Sequence, residues 1–118
     1  MPRVKGGFRT RRTHKKVLKL AKGYRGSRNR LFKRANEAVV RAGEHAFEGR
    51  KQRKRDFRKL WISRLSSALS SQDINYSRFI HGLKKADISL DRKTLSEMAI
   101  NDPKAFESVV LKVKKVLS

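Results

Sequence analysis

Apolar residues at Leu31, Ala35, Ala38, Val39, Ala42 and Ala46 follow the i, i+4, i+7, i+8 spacing of one helix face. The pattern resumes at Phe57, Trp61, Leu65, Ala68 and Leu69, and no proline stands between Pro2 and Pro103. One helix from about Ser27 to Ser71 is therefore expected, with Ser27 as its N-cap. Its length would be on the order of 65 Å at 1.5 Å per residue. Gly43 and Gly49 argue against a rigid rod, since each costs about 1 kcal/mol relative to Ala. Like charges one turn apart, Arg50 with Lys54 and Lys51 with Arg55, weaken the helix further. Its upper part is expected to fray or bend when isolated.

Upstream, Met1 to Arg12 has little apolar content and no helical period, and predicts an extended arm, disordered without a partner. Thr13 to Lys22 predicts a short helix with Val17, Leu18 and Ala21 on one side, Gly23 at its C′ position, and a turn through GYRGS. Downstream, Asn75 is placed to cap a helix Tyr76–Ala86, with Ile74 and Phe79 as a hydrophobic staple. Asp91 is placed to cap Arg92–Ile100, stapled by Leu90 and Leu95. Asp102 before Pro103 is a strong start signal, because proline at the first helical position lacks only an N–H that would be unpaired anyway. That last helix puts Phe106, Val109, Val110, Val113 and Leu117 on one face. With Leu60–Leu69, these helices can share a core in which Trp61 closes the first onto the other three.

The fold class that follows is all-α: an elongated basic helical extension, residues 1–59, then a small four-helix globular domain, residues 60–118. About 60 residues is small but workable for such a domain.

Charge sharpens this division. The chain has 118 residues with 32 Lys+Arg against 10 Asp+Glu, a formal net charge of +22. Residues 1–59 hold 22 of those cations and 4 of the acids, leaving 10 and 6 for residues 60–118. Fourteen Lys or Arg and no acid occur between Met1 and Arg34. Such a balance speaks to partners rather than fold.

Enzyme chemistry finds little support. There is no cysteine, hence no thiolate metal site or thiol nucleophile. His14, His45 and His81 stand in unrelated contexts, and His45 with Glu44 and Glu48 makes one helix turn without the remaining ligands of a metal site. GYRGS lacks the GK[ST] ending of a phosphate loop. Gly23 and Gly26 form a GxxG as in KH modules, but those need a sheet. No catalytic residue, metal, cofactor or small-molecule substrate is expected. No apolar run reaches the roughly 20 residues that span a bilayer. The basic start has no apolar h-region behind it, and although it resembles a transit peptide, its pattern runs past any normal cleavage point. A cytoplasmic protein is the expectation.

The cations carry the stronger signal. The arm and short helix offer Arg3, Lys5, Arg9, Arg11, Arg12, His14, Lys15, Lys16, Lys19 and Lys22. The turn and the start of the long helix offer Tyr24, Arg25, Arg28, Arg30, Lys33 and Arg34. A second run offers Arg50, Lys51, Arg53, Lys54, Arg55, Arg58 and Lys59. These cover several helix faces. A flat anionic membrane needs only one basic face backed by an apolar one, and duplex DNA mostly engages one side too. A helix threaded among RNA segments meets phosphate in every direction, and the arginine fork suits bidentate phosphate contact. Tyr24, inside KGYRGSRNR, is the aromatic placed to stack on an unpaired base; Phe32, Phe47 and Phe57 serve equally well as packing residues. The alanine stripe Ala35, Ala38, Ala42 and Ala46 buries little area but permits close approach to a backbone or groove.

Three long ungapped blocks carry a family resemblance: HKKVLKLAKGYRGSRNRLFKRANEAVVRAG, RKQRKRDFRKLWISRL and YSRFIHGLKKADISLDRKTLSEMAI. Together they resemble the bacterial large-subunit ribosomal proteins of the L-twenty family over essentially the whole chain. The resemblance implies direct binding to large-subunit ribosomal RNA, a role early in subunit assembly, neighbouring ribosomal proteins as partners, and no part in peptide-bond chemistry. In some members the C-terminal domain also binds the protein's own mRNA and represses its translation. Within the third block the resemblance makes Tyr76, Ser77, Arg78, His81, Lys84 and Lys85 candidate RNA contacts, while Phe79, Ile80 and Leu83 read as core. The chain departs from the family's usual pattern at Pro2, where Ala is typical, and at His81, where Asn is typical. The alternatives are a DNA-binding architectural protein of the nucleoid and a membrane-active cationic domain. Competition between structured RNA and duplex DNA separates the first, and liposome binding the second.

Overall fold

Arginine and lysine are good helix formers even without an apolar period, and the N-terminal segment behaves accordingly. A computed structural model describes residues 1–3 and 5–118. In it helix α1 runs Gly7–Leu20, so residues Gly7–Arg12 are helical where an extended arm was expected. Two glycines set its start: Gly7 adopts φ +55°, a left-handed conformation that favours glycine. Thr10 and Thr13 bond back to the carbonyls of Gly6 and Arg9. The helix closes at Ala21, and Gly23, at φ +90°, turns the chain away.

Gly26, at φ +63°, opens a short 3-10 turn, Gly26–Asn29. Ser27 lies within this turn rather than capping the next helix, and its carbonyl takes the N–H groups of Arg30 and Leu31. Helix α2 accordingly begins later than expected and spans Phe32–Ser70, with Gly43 and Gly49 inside it. Then come α3 (Tyr76–Lys85), α4 (Arg92–Asn101) and α5 (Pro103–Leu117). No strand occurs among the described residues.

The chain divides into two compact units, Met1–Lys51 and Gln52–Ser118. The first has almost no core: among its described residues only Ala21 and Ala35 are buried. What ties α1 to α2 is a ring stack, His14 on Phe32, with centroids 3.8 Å apart and planes 16° from parallel. Further along, Ala42 and Ala46 are exposed, as are all other residues from 41 to 51.

The second unit has a true core of Leu65, Leu69, Ile74, Phe79, Leu83, Leu95, Phe106, Val110 and Val113. Two αL caps build its corners. Asp73 and Asp87 take φ 54° and 55°, and the next residues, Ile74 and Ile88, donate back to the carbonyls of Leu69 and Leu83. Each isoleucine then packs on the core, as the hydrophobic residue of a Schellman cap does. Asp91 and Asp102 cap as expected, accepting the N–H of Thr94 at 2.8 Å and of Ala105 at 3.2 Å. Asn75 holds the N-cap position but its side chain makes no cap hydrogen bond. Leu95 is buried whereas Leu90 stays exposed, so the second staple does not form a buried pair. Leu60 is exposed and Trp61 only half-buried outside the core cluster, which corrects the expectation that Trp61 closes the domain. The core begins one turn later, at Leu65, and the turns of α2 before it face polar residues at the start of α4 rather than the apolar cluster.

Candidate nucleic-acid interface

Helix α1 presents Arg9, Arg11, Arg12, Lys15, Lys16 and Lys19 to solvent, preceded by exposed Arg3 and Lys5 and followed by exposed Lys22. Its stripe of Val17, Leu18 and His14 is half-buried, and one face of the imidazole is stacked on Phe32. Arg25, Arg28, Arg30, Lys33 and Arg34 are exposed as well. Acids do little to balance them. Among the described residues the ion pairs are Arg34–Glu37 at 3.6 Å and Arg41–Glu44 at 3.4 Å, both exposed and on one helix turn. Such pairs contribute between about 0 and 1 kcal/mol.

A groove of about 780 Å³ runs between the Gly23–Arg28 turn and α2. It is lined by Ala38 and Ala42, by half-buried Tyr24, by Arg25, Arg28, Arg34 and Arg41, and by Glu37 and His45. The alanines leave room for a backbone to approach, and Arg41 joins the candidates although the sequence reading passed over it. Exposed aromatics carry cations on their faces: Arg12 lies over Phe8 at 5.3 Å and Lys51 over Phe47 at 4.4 Å, each pair one helix turn apart.

In the second unit Arg53, Lys54, Arg55, Arg58 and Lys59 are all exposed, and Arg53 lies over Phe57 at 5.6 Å. On α3 the amphipathic reading holds: Ser77, Arg78, His81, Lys84 and Lys85 are exposed while Phe79, Gly82 and Leu83 are buried. Tyr76 sits differently. It is half-buried against the core, and its hydroxyl accepts from Arg92 Nε at 2.8 Å. A second cleft, of about 360 Å³, is lined by Lys54, Arg55, Arg58 and Trp61 of α2 and by Asp91, Arg92 and Lys93 at the start of α4. Trp61, Arg92 and Lys93 were not among the expected contacts, since only tertiary packing brings α4 to this part of α2. Hydrogen bonds from Thr94, side chain first and backbone second, hold the Asp91 carboxyl below the usual carboxylate range. Among the described residues no three His, Asp or Glu are grouped to hold a metal, and no helix is long and apolar enough to cross a membrane.

Outward-facing cations with few acids to balance them, carried on helices beside one small core, define a basic all-helical ribosomal protein once the comparisons are set beside them. The chain belongs to the family described as ribosomal protein L20, whose profile matches residues 3–109. It is 56% identical over 117 residues to the large ribosomal subunit protein bL20 of Staphylococcus epidermidis, covering 99% of each chain. It is 55% identical over 118 residues to the proteins of that name from Clostridium tetani and Methylibium petroleiphilum, covering 100% of this chain and 99% and 100% of theirs. Membership makes it a structural ribosomal protein, not an enzyme, and a cytoplasmic one in a bacterium.

Proposed function

We propose that the chain is a constituent of the large ribosomal subunit that binds large-subunit rRNA directly and promotes an early step of assembly. One observation carries this reading: among its described residues the first unit buries only two alanines, while nearly every cation in it faces outward. Fixing a residue's backbone costs about 1–2 kcal/mol, and two alanines cannot offset that over some fifty residues. Phosphate supplies the missing term through counterion release and charge-assisted hydrogen bonds. The basic extension of residues 1–59 would thus make most contacts, from Arg3 through Lys59, and order as the RNA folds around it. The names of the relatives support the large subunit as the destination.

The domain 60–118 adds a finer role. Its α3 sets Ser77, Arg78, His81, Lys84 and Lys85 on an exposed side of a core that does not depend on the extension. This side is suited to a folded RNA element, and its own mRNA is the second such ligand we propose, with translational self-repression as the consequence.

The test is a salt-titrated competition between large-subunit rRNA fragments and duplex DNA, with full-length protein. About ten neutralised phosphates predict a log–log slope near −7 or steeper and a preference for RNA. A nearly flat salt dependence, or equal binding of RNA and DNA, would overturn the proposal.

A further inference from the structure

Trp61 is the only tryptophan of the chain, and it lies outside the hydrophobic core. A half-buried indole is usually covered by apolar neighbours, since burial of its large surface is what stabilises it. Here the cleft it lines is walled by five cations from two helices: Lys54, Arg55 and Arg58 on one side, Arg92 and Lys93 on the other. The one carboxylate present, Asp91, already accepts the Thr94 N–H. Phe57, one helix turn before it, lies beside the indole with ring centroids 6.1 Å apart and planes tilted by 33°. Arg92 is held in place through Nε by the Tyr76 hydroxyl, which leaves the terminal nitrogens of its guanidinium to donate elsewhere.

Five like charges lining one cleft with an indole are unfavourable in the free protein and useful to a ligand that is planar and carries an anion within reach of the ring. An unpaired nucleotide has both: a base to lie on the indole and phosphates to meet the cations on either side. The volume, about 360 Å³, is at the small end of clefts that take one small ligand. A duplex keeps its bases stacked and presents no free face, so it would meet the cations but not the indole. The exposed run Arg53–Lys59 continues along α2 from the same cleft, as successive phosphates of one strand would require.

We infer that the Trp61 cleft is a nucleotide-binding subsite, in which one unstacked base of a bound RNA lies on the indole and its flanking phosphates are held by Arg58, Lys54, Arg92 and Lys93. The inference rests on the RNA-binding reading above, and goes beyond it in naming the residue and the kind of nucleotide.

The experiment uses the full-length protein and a large-subunit rRNA transcript, with retention of RNA on a filter and Trp61 emission followed in parallel. Emission should be strongly quenched at the RNA concentrations that give retention. W61L should weaken binding on the order of tenfold, the scale of losing one base–aromatic stack, and W61F should weaken it less, because a ring remains. Since W61L can also disturb the helices beside it, R58Q/K93Q provides an arm that leaves the indole and the core intact; it should reduce both affinity and quenching. Retention without any change in Trp61 emission, or R58Q/K93Q indistinguishable from the unaltered protein, overturns the subsite and leaves RNA binding standing. No retention of RNA at all overturns both.

Discussion

The hydroxyl of Tyr76, first residue of α3, accepts a 2.8 Å hydrogen bond from Nε of Arg92, first residue of α4. The bond closes a sequence separation of sixteen residues at the edge of the core, and it gives Tyr76 a structural task, support of Arg92, beside its candidacy as an RNA contact. Tyr76→Phe keeps the ring and removes the acceptor. A part-buried hydrogen bond contributes about 1 kcal/mol, so the thermal midpoint should fall by about 4–8 °C for a domain of this size. Circular dichroism melting of the full chain measures it. An unchanged midpoint with weakened RNA affinity would mean that the hydroxyl meets RNA directly.

Gly82 is buried on α3 against α5. A Cβ built there would collide with Cγ1 of Val113 and come within 3.0 and 3.1 Å of Leu117 Cδ1 and Cγ. Helix propensity alone favours Gly82→Ala by about 1 kcal/mol. Overpacking against a buried, β-branched valine opposes it by about 1–3 kcal/mol. The collision should win, and a lower thermal midpoint for G82A is the expected result. A higher midpoint would show that α5 shifts at little cost.

The elements that sequence revealed best are those governed by local chemistry. Asp91 and Asp102 cap where expected because a carboxylate and an N–H three residues on need no tertiary context. The face Phe106, Val110, Val113 was legible from its period. What failed was what depends on distant neighbours or on weak signals. Periodicity put Trp61 on the core face of α2 but could not tell that the start of α4 offers it charged residues instead of apolar ones. The helical state of Gly7–Arg12 was hidden because a run of cations has helix propensity without an apolar stripe. Of the candidate interface, exposure of the cations followed from composition, whereas the gathering of Arg92 and Lys93 beside Trp61 had no local signature.

Asp91 gives the domain a pH dependence whose sign can be worked out. Its folded-state pKa lies below the ordinary value, owing first to the Thr94 hydrogen bonds. The unfolded chain therefore binds the proton more readily, and stability rises with pH across this interval. The contribution is complete above the unfolded value of about 3.9 and is lost as pH falls through the lower, folded value. Asp91→Asn keeps an acceptor but cannot titrate. Acid unfolding followed by circular dichroism should be shallower for D91N below about pH 4 and parallel to the unaltered protein near neutrality. Identical acid profiles would show that the cap carries no charge-dependent stability.

Arg53, Lys54 and Arg55 lie on an exposed part of α2, ahead of the first core residue, Leu65. Their replacement by alanine separates two roles that a single affinity value would confuse. If the run only supported the helix, R53A/K54A/R55A would melt at a lower temperature. It should do the reverse or nothing, because alanine's helix propensity and the loss of the like-charge pair Lys51–Arg55 offset the loss of the exposed Arg53–Phe57 contact. If the run meets phosphate, each lost contact makes the log–log salt dependence of RNA binding less steep by about 0.7–0.9. The triple variant should therefore flatten the slope by about two while the thermal midpoint holds or rises. Weaker binding with the slope unchanged would mean that these cations shape the helix for contacts made elsewhere, and it would remove the Arg53–Arg55 run from the RNA-binding surface.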